Sequence, residues 1–542
     1  MPLSTMKLLA AAWLLAAPFA PLSLAQGAVG PDGATAAVDA AQAPAPELLV
    51  VLAAPAPRAL DRAEDERIAE LERDLTDRDE KTRRSAVNKL VEIGSTKAWL
   101  VVVEALANDK ARPADEAQID LADVTDEKVL KVLFGKGGLK HSDQLVRTRV
   151  AELLGRRKAV DAGMMGKALK ERDPEVRRLL LWSIERLALA GELTGDRERG
   201  LSKELVKLAR KDSDGAVRGA ALFAHEAVFG AEATAALLVE LTESKLAGAR
   251  AAAALLAGGE AGGEGGIGHL AELLVDRSSI VRKAAIKGLE QRARAGELEA
   301  LSILIGRLET EERPRLQWAL VDALQRASGM KYRLDTRPWL RWFEGLGEDW
   351  VPGSEEQEVD RGDATVAFAG LPLLSDRVAF LIDFSGSIWN EKDGKLPKDQ
   401  VGTELTRVLD RLTDETWFNV VPFINDPVPW SEELVQAKKK NLAAAKDFYA
   451  DCKAYGAGNV YDAIQLVLAD PMVDTVVVLT DGAPSGGTRW NLNLMIPALL
   501  EQNRYRQVAF DSLLVGASGG LVRHWEALSE GSGGECISTE LK

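Results

Sequence analysis

A chain of 542 residues with 46% hydrophobic content is long enough for two or more packed cores, which excludes a chain dominated by disorder. Its 83 acidic against 68 basic residues leave a formal charge of −15, so a phosphate backbone is repelled and nucleic acid is not an expected partner. No stretch reaches the roughly 20 consecutive apolar residues of a bilayer crossing, so no membrane span is expected.

The N-terminus reads as an export signal over residues 1–25. Lys7 precedes the apolar run Leu8 to Ala17, and Ser23-Leu24-Ala25 puts small residues where a signal peptidase reads them, with cleavage expected after Ala25. Pro18 and Pro21 interrupt the run, which argues against an anchor. No cysteine stands at the cleavage point to take a lipid. The expected location is the periplasm or the outside of the cell. Residues 26–60 are rich in Ala and Pro and read as a flexible tether, with Leu48 to Leu52 able to pack as a short segment.

From 61 to 347 the pattern predicts a succession of amphipathic helices. Its recurring unit is an acidic turn, an apolar residue, an arginine and a small, apolar helix, as in Asp214-Gly215-Ala216-Val217-Arg218-Gly219-Ala220-Ala221 and Ser279-Ile280-Val281-Arg282-Lys283-Ala284-Ala285. Weaker copies centre on Arg84, Arg147, Arg177, Arg250 and Arg315, and from Arg218 through Arg250 and Arg282 to Arg315 the steps are 32, 32 and 33 residues. Such a period marks stacked helix pairs. The Val-Arg-x-x-Ala signature resembles HEAT repeats, in which the arginine stem covers apolar surface while its head meets neighbouring acids. Lys110 to Gly138 departs from the period and reads as an insertion with its own helix. The glycine run from Gly262 to Gly268 lacks the preceding strand and the lysine of a phosphate loop, so it reads as a repeat turn. Trp318, Trp339, Trp342 and Trp350 suit an aromatic cap on the last repeat.

Residues 348–374 turn acidic and polar and read as a linker; the Arg361-Gly362-Asp363 tripeptide inside it is read as a chance occurrence. From 375 to 542 strands and helices alternate as in a doubly wound α/β (Rossmann-like) fold. Strands are expected near 377–383, 417–424, 428–430, 474–480, 507–515 and 535–538. Helices are expected near 400–413, 434–449, 460–469, 491–503 and 521–530. The basic run Lys438-Lys439-Lys440 reads as a solvated helix face. Two buried runs deliver oxygen-bearing residues to their tips: Val378 to Ile382 ends in Asp383-Phe384-Ser385-Gly386-Ser387, and Thr475 to Leu479 ends in Thr480-Asp481-Gly482. In an open parallel sheet both tips face one crevice, where carboxylates and hydroxyls suit a hard divalent cation.

These motifs resemble the von Willebrand factor A domain and its metal-ion-dependent adhesion site, with Gly456-Ala457-Gly458-Asn459-Val460-Tyr461-Asp462-Ala463 similar to the family's intervening loop and helix start. The resemblance implies Mg²⁺, or Mn²⁺ or Ca²⁺ in its place, held by Asp383, Ser385, Ser387 and Asp481, with one position open to a carboxylate from a protein partner. Gly458 stands where the family has a threonine whose hydroxyl can join the shell. Asn425, Asp426, Ser485, Thr488 and Arg489 can reach the top of the sheet, and Trp389, Asn459 and Trp490 are expected partner contacts.

No His-Glu-x-x-His, nucleophile elbow or phosphate loop occurs, and His141, His225, His269 and His524 stand apart, so no enzyme is expected. Cys452 and Cys536 could pair in an oxidising compartment or stay as buried thiols. The sequence thus predicts an exported adaptor of a HEAT-like, all-α solenoid and an A-type domain that captures a protein through a cation. The alternative is a metal-free scaffold that binds through its helices.

Overall fold

The computed structural model describes residues 57–107, 113–347, 350–353, 359–361, 366–386, 397–452 and 456–539. The export signal, all but the last residues of the tether, and Ser387, Trp389, Gly362 and Asp363 lie outside the described residues. Residues 60–542 belong to one compact unit.

The helices of the first part are α1 (Pro57–Asp74), α2 (Glu80–Ile93), α3 (Thr96–Glu104), α4 (Pro113–Asp123), α5 (Lys128–Leu133), α6 (Gln144–Leu154), α7 (Ala162–Ala168), α8 (Pro174–Leu189), α9 (Lys203–Lys211), α10 (Gly215–Phe229), α11 (Ala231–Thr242), α12 (Ala247–Ala257), α13 (Gly266–Leu273), α14 (Ser279–Arg294), α15 (Leu298–Thr310), α16 (Pro314–Ser328) and α17 (Thr336–Glu344). Aspartates at 79, 143, 173 and 214 cap the helices that follow them by accepting free amide hydrogens. Pro174 and Pro314 open α8 and α16, where no amide donor is needed. The even-numbered helices from α2 to α16 pack on one another in a single row, and α9, α11, α13, α15 and α17 form a second row behind them.

A ladder of arginines ties most of the turns to the helices that follow them, and four of its rungs also reach the next turn. The guanidiniums of Arg83, Arg147, Arg177, Arg218, Arg250 and Arg282 each donate to the carbonyl six residues earlier, tying the turn to its helix. Four of them also meet an acid of the next turn: Arg147 with Glu171 at 3.5 Å, Arg177 with Asp212 at 3.0 Å, Arg250 with Asp276 at 2.7 Å and Arg282 with Glu311 at 3.1 Å. The two ends of the expected series differ. Arg83 takes the rung expected of Arg84, which pairs with Glu116 instead. In α16 the rung is Gln317, bonded to the Glu311 carbonyl, while Arg315 reaches the carbonyl of Gly533 in the turn before the last strand. The supposed insertion after Lys110 is no interruption either: α4 fills the even row between α2 and α6 without a ladder arginine. The glycine run is a turn pinned by Arg292, which donates to the carbonyls of Ala257, Gly259 and Gly263. Trp339, Trp342 and Trp350 close the last repeat edge to face, with centroids 6.2 and 6.4 Å apart.

Two-residue strands β1 (Val160–Asp161) and β2 (Leu193–Thr194) pair within the helical part. The second part runs β3 (Ala367–Phe368), β4 (Leu371–Pro372), β5 (Arg377–Asp383), α18 (Pro397–Leu409), β6 (Trp417–Phe423), β7 (Val435–Gln436), α19 (Lys439–Asp451), α20 (Val460–Leu468), β8 (Thr475–Thr480), α21 (Leu492–Asn503), β9 (Ala509–Val515), α22 (Gly520–Ser532) and β10 (Cys536–Thr539). The six-stranded sheet has the order β10-β9-β8-β5-β6-β7, parallel except for β7. Its central strands are continuously apolar because helices cover both faces: α20, α21 and α22 on one, α18, α19 and the β3–β4 hairpin on the other. The expected edge strand at 428–430 is an extended return along β6, where Val428 and Trp430 donate to Pro422 and Val420. Pro427 and Pro429 have no amide hydrogen to complete the ladder, and the edge strand forms at β7. Both cysteines are free thiols.

The segment read as a linker is anchored wherever it is described. Phe368 and Leu371 are buried under the sheet, and Arg361 sits between Asp322 of α16 at 2.7 Å and Glu535 at 2.9 Å. That burial withdraws Arg361 from any adhesion role. The sheet domain lies against the even row from α4 to α16, with Lys283 and Lys287 of α14 donating to the carbonyls of Ser532 and Gly531. At the middle of the seam Tyr505 packs over α10: a Cβ on Gly219 would lie 2.8 Å from the tyrosine ring and 2.6 Å from the Ala252 methyl. Gly219→Val is expected to cost about 1–3 kcal/mol by overpacking, read as a lowered thermal midpoint; an unchanged midpoint would mean that Tyr505 does not seat there.

Candidate metal centre

The sheet order reverses at β5, with β6 on one side and β8 on the other. Ile382 lies opposite Leu479, so the next residues, Asp383 and Thr480, leave the carboxyl edge together, where such sheets open a crevice. The Asp383 carboxylate is 1% exposed. It accepts the Ser385 amide at 2.8 Å and the Thr480 hydroxyl at 2.8 Å. Burial raises its pKa above the usual carboxylate range against the pull of those bonds, and the nearby negative charge of Asp481 adds to the rise. Asp481 itself is partly exposed and accepts the Ala483 amide at 3.1 Å.

Two further loops close the cradle. The Gly458 amide donates to the Ser485 hydroxyl at 2.8 Å and the Ser485 amide to the Gly458 carbonyl at 3.1 Å, so the loop before α20 and the loop after β8 are zipped together. Asn459 caps α20 by accepting the Asp462 amide, and its own amide donates to the Asn425 carbonyl and to Asp462. Asp462 in turn accepts both the amide and the hydroxyl of Thr488. Gly487, at φ +90°, passes so close to Asn459 that a Cβ there would collide with the asparagine amide.

The structure thus brings Asp383, Ser385, Gly458 and Asp481 to one edge. Asn459, expected as a partner contact, is 1% exposed with both ends of its amide used internally, so it braces the loop instead. Trp490, also expected as a partner contact, has its backbone amide bonded to Asp115 of α4 at 3.0 Å, which ties its loop to the helical part. Ser485 and Thr488 do lie at the top of the sheet, as expected, but as braces between loops, and Thr480 and Asp462, named in the sequence only as parts of motifs, take the bonding roles that sequence reasoning did not assign.

The residues present fit a hard divalent cation. A Cβ on Gly458 would stand 3.5 and 3.6 Å from the two Asp383 oxygens, so the place of the family's threonine faces the carboxylate and is left open. Among the described residues no three His, Cys, Asp or Glu side chains cluster, so an ion here depends on hydroxyl oxygens beside the aspartates.

No protein-family model matches the chain. The human inter-alpha-trypsin inhibitor heavy chain H4 is 32% identical over 130 residues, 22% of this chain and 13% of that protein. Human von Willebrand factor A domain-containing protein 3B is 30% identical over 112 residues, 21% of this chain and 8% of that protein. The chain therefore spans only a small part of the length of the curated relatives it matches. Among solved structures, a von Willebrand factor type A protein from Catenulispora acidiphila is 18% identical with a TM-score of 0.26, covering 31% of this chain and 40% of that one. Among the described residues no helix is long and apolar enough to cross a membrane. About a fifth of the chain is thus similar in sequence to von Willebrand factor A domain proteins.

Proposed function

We propose that this chain is an exported binding protein rather than an enzyme, and that it captures a protein partner through a divalent cation held at the carboxyl edge of β5 and β8. The observation that carries the reading is the buried Asp383 carboxylate, bonded to Ser385 and Thr480 with an open place beside Gly458. Asp383, Ser385 and Asp481 would hold Mg²⁺ or Mn²⁺, joined by Ser387 on the strength of the Asp-x-Ser-x-Ser motif. Bound there, the cation would supply an electrophilic position for a carboxylate oxygen of the partner. Thr480 orients Asp383 by donating to one of its oxygens, and the Gly458–Ser485 pair fixes the rim. Asn459 is committed elsewhere, so the place beside Gly458 falls to water or to the partner. The alternative, a metal-free scaffold binding through its helices, loses the even-row face, which the sheet domain already covers along much of its length.

Calorimetric titration of Mn²⁺ into the full chain tests the reading. A saturable heat removed by EDTA is expected, together with partner capture from cell-envelope extract that EDTA abolishes. No heat at millimolar Mn²⁺ would leave the adaptor metal-free.

A further inference from the structure

Building on the cation reading, we propose that Glu152, Arg149 and Asp115 of the helical row act, through Arg489 and Thr488, as positioning residues for the cation cradle, so that docking of the row sets cation affinity. The path is continuous. Arg489 forms a buried ion pair with Glu152 of α6, and Arg149 donates to the Thr488 carbonyl. Asp115 of α4 accepts the amides of Trp490 at 3.0 Å and Asn491 at 2.8 Å. Four consecutive residues of the loop after β8, Thr488 to Asn491, are therefore held by two helices of the other domain. The inner side of Thr488 bonds Asp462 through both its amide and its hydroxyl, Asp462 bonds Asn459, and Asn459 holds the strand of loop that carries Gly458 against Asn425. Gly458 faces the Asp383 oxygens. A loop of this kind, left alone, samples several backbone arrangements; gripped at Thr488, it presents one. Groups that orient a cradle from outside it change metal affinity because the misaligned states must be reordered on binding.

The competing account is that these contacts only glue two domains together. The two differ in place: Lys283 of α14 belongs to the same seam, toward its other end, where it donates to the Ser532 carbonyl of α22, away from the Thr488–Asp462–Asn459 chain.

Four variants of the full chain decide it: Thr488→Val, Thr488→Ser, Glu152→Gln and Lys283→Met. Each is titrated with Mn²⁺ by calorimetry, and amide exchange of residues 458–462 is followed without metal. Thr488→Val is expected to weaken Mn²⁺ binding about tenfold and Glu152→Gln about fivefold, both with faster exchange at 458–462 in the metal-free protein. Thr488→Ser keeps the hydroxyl and returns both readouts to wild type, and Lys283→Met moves neither, whatever it does to the thermal midpoint. Wild-type affinity and exchange in both Thr488→Val and Glu152→Gln would overturn the inference, as would an equal loss in Lys283→Met, which would mark a general loosening. A wild type that takes up no Mn²⁺ would overturn the cation reading and this inference together, whereas a binding wild type with unaffected variants overturns the inference alone.

Discussion

Glu152→Ala is expected to lower the unfolding free energy by about 3–5 kcal/mol. Asp115, Arg149, Glu152 and Arg489 lie together between α4, α6 and the loop after β8, where Glu152 also feels the charge of Arg186 of α8. Burial works against the charge on Arg489, yet the Glu152 carboxylate outweighs it and holds the guanidinium above its ordinary pKa. Burial also lowers Arg149 to about 10, opposed by the charge of Asp115. Truncating Glu152 leaves Arg489 without its paired carboxylate in a site from which water is excluded, and neither Arg149 nor Arg489 can neutralise itself at neutral pH. An exposed pair makes the contrast: Arg210 and Glu240 meet at 2.5 Å with about half of each side chain in solvent, and Arg210→Ala is expected to cost far less than Glu152→Ala. Urea denaturation of both variants checks the difference. If Glu152→Ala cost no more than Arg210→Ala, the seam between the domains would be open in solution.

Asp383→Ala is expected to abolish Mn²⁺ binding and cation-dependent capture while leaving the metal-free fold intact. The carboxylate is buried beside a second negative charge, with its pKa raised, so its charged form is costly until a cation arrives. Alanine removes that cost along with two hydrogen bonds, from Ser385 and Thr480, which are themselves worth about 1 kcal/mol each. The clean signature is thermal. Wild type gains about 2.7 kcal/mol at an ion concentration a hundred times the dissociation constant, whereas the variant shows no midpoint shift on adding Mn²⁺. A metal-dependent shift that survives in Asp383→Ala would place the ion elsewhere.

Local pattern carried much of the fold. The apolar run ending at Asp383 and the β-branched run ending at Thr480 are buried on both faces, so their strands match the expected bounds to within a residue. The arginine period exposed the helix pairs because each rung needs a guanidinium six residues after a turn carbonyl, a constraint written within a few residues of chain. Two things were not written locally. The α4 repeat lacks its arginine and so looked like an insertion, although its position in the row is set by packing against α2 and α6. The docking of the sheet domain was hidden altogether, since Arg489 and Glu152 are 337 positions apart and each alone resembles a solvated surface charge. For the same reason Trp490 and Asn459 looked available to a partner, when long-range pairing had tied the backbone of one to the helices and spent the side chain of the other on its own loop.

Stacked repeats that touch only their neighbours can fray from either end, one unit at a time. Here a single globular body spans the row from α4 to α16, and Arg361 fastens its far corner. Peeling off a terminal repeat in this stretch exposes buried charge on the sheet as well, so intermediate lengths of folded row gain no foothold. From α4 to α16 the helical array is expected to give up the elasticity of a spring and to melt together with the sheet domain.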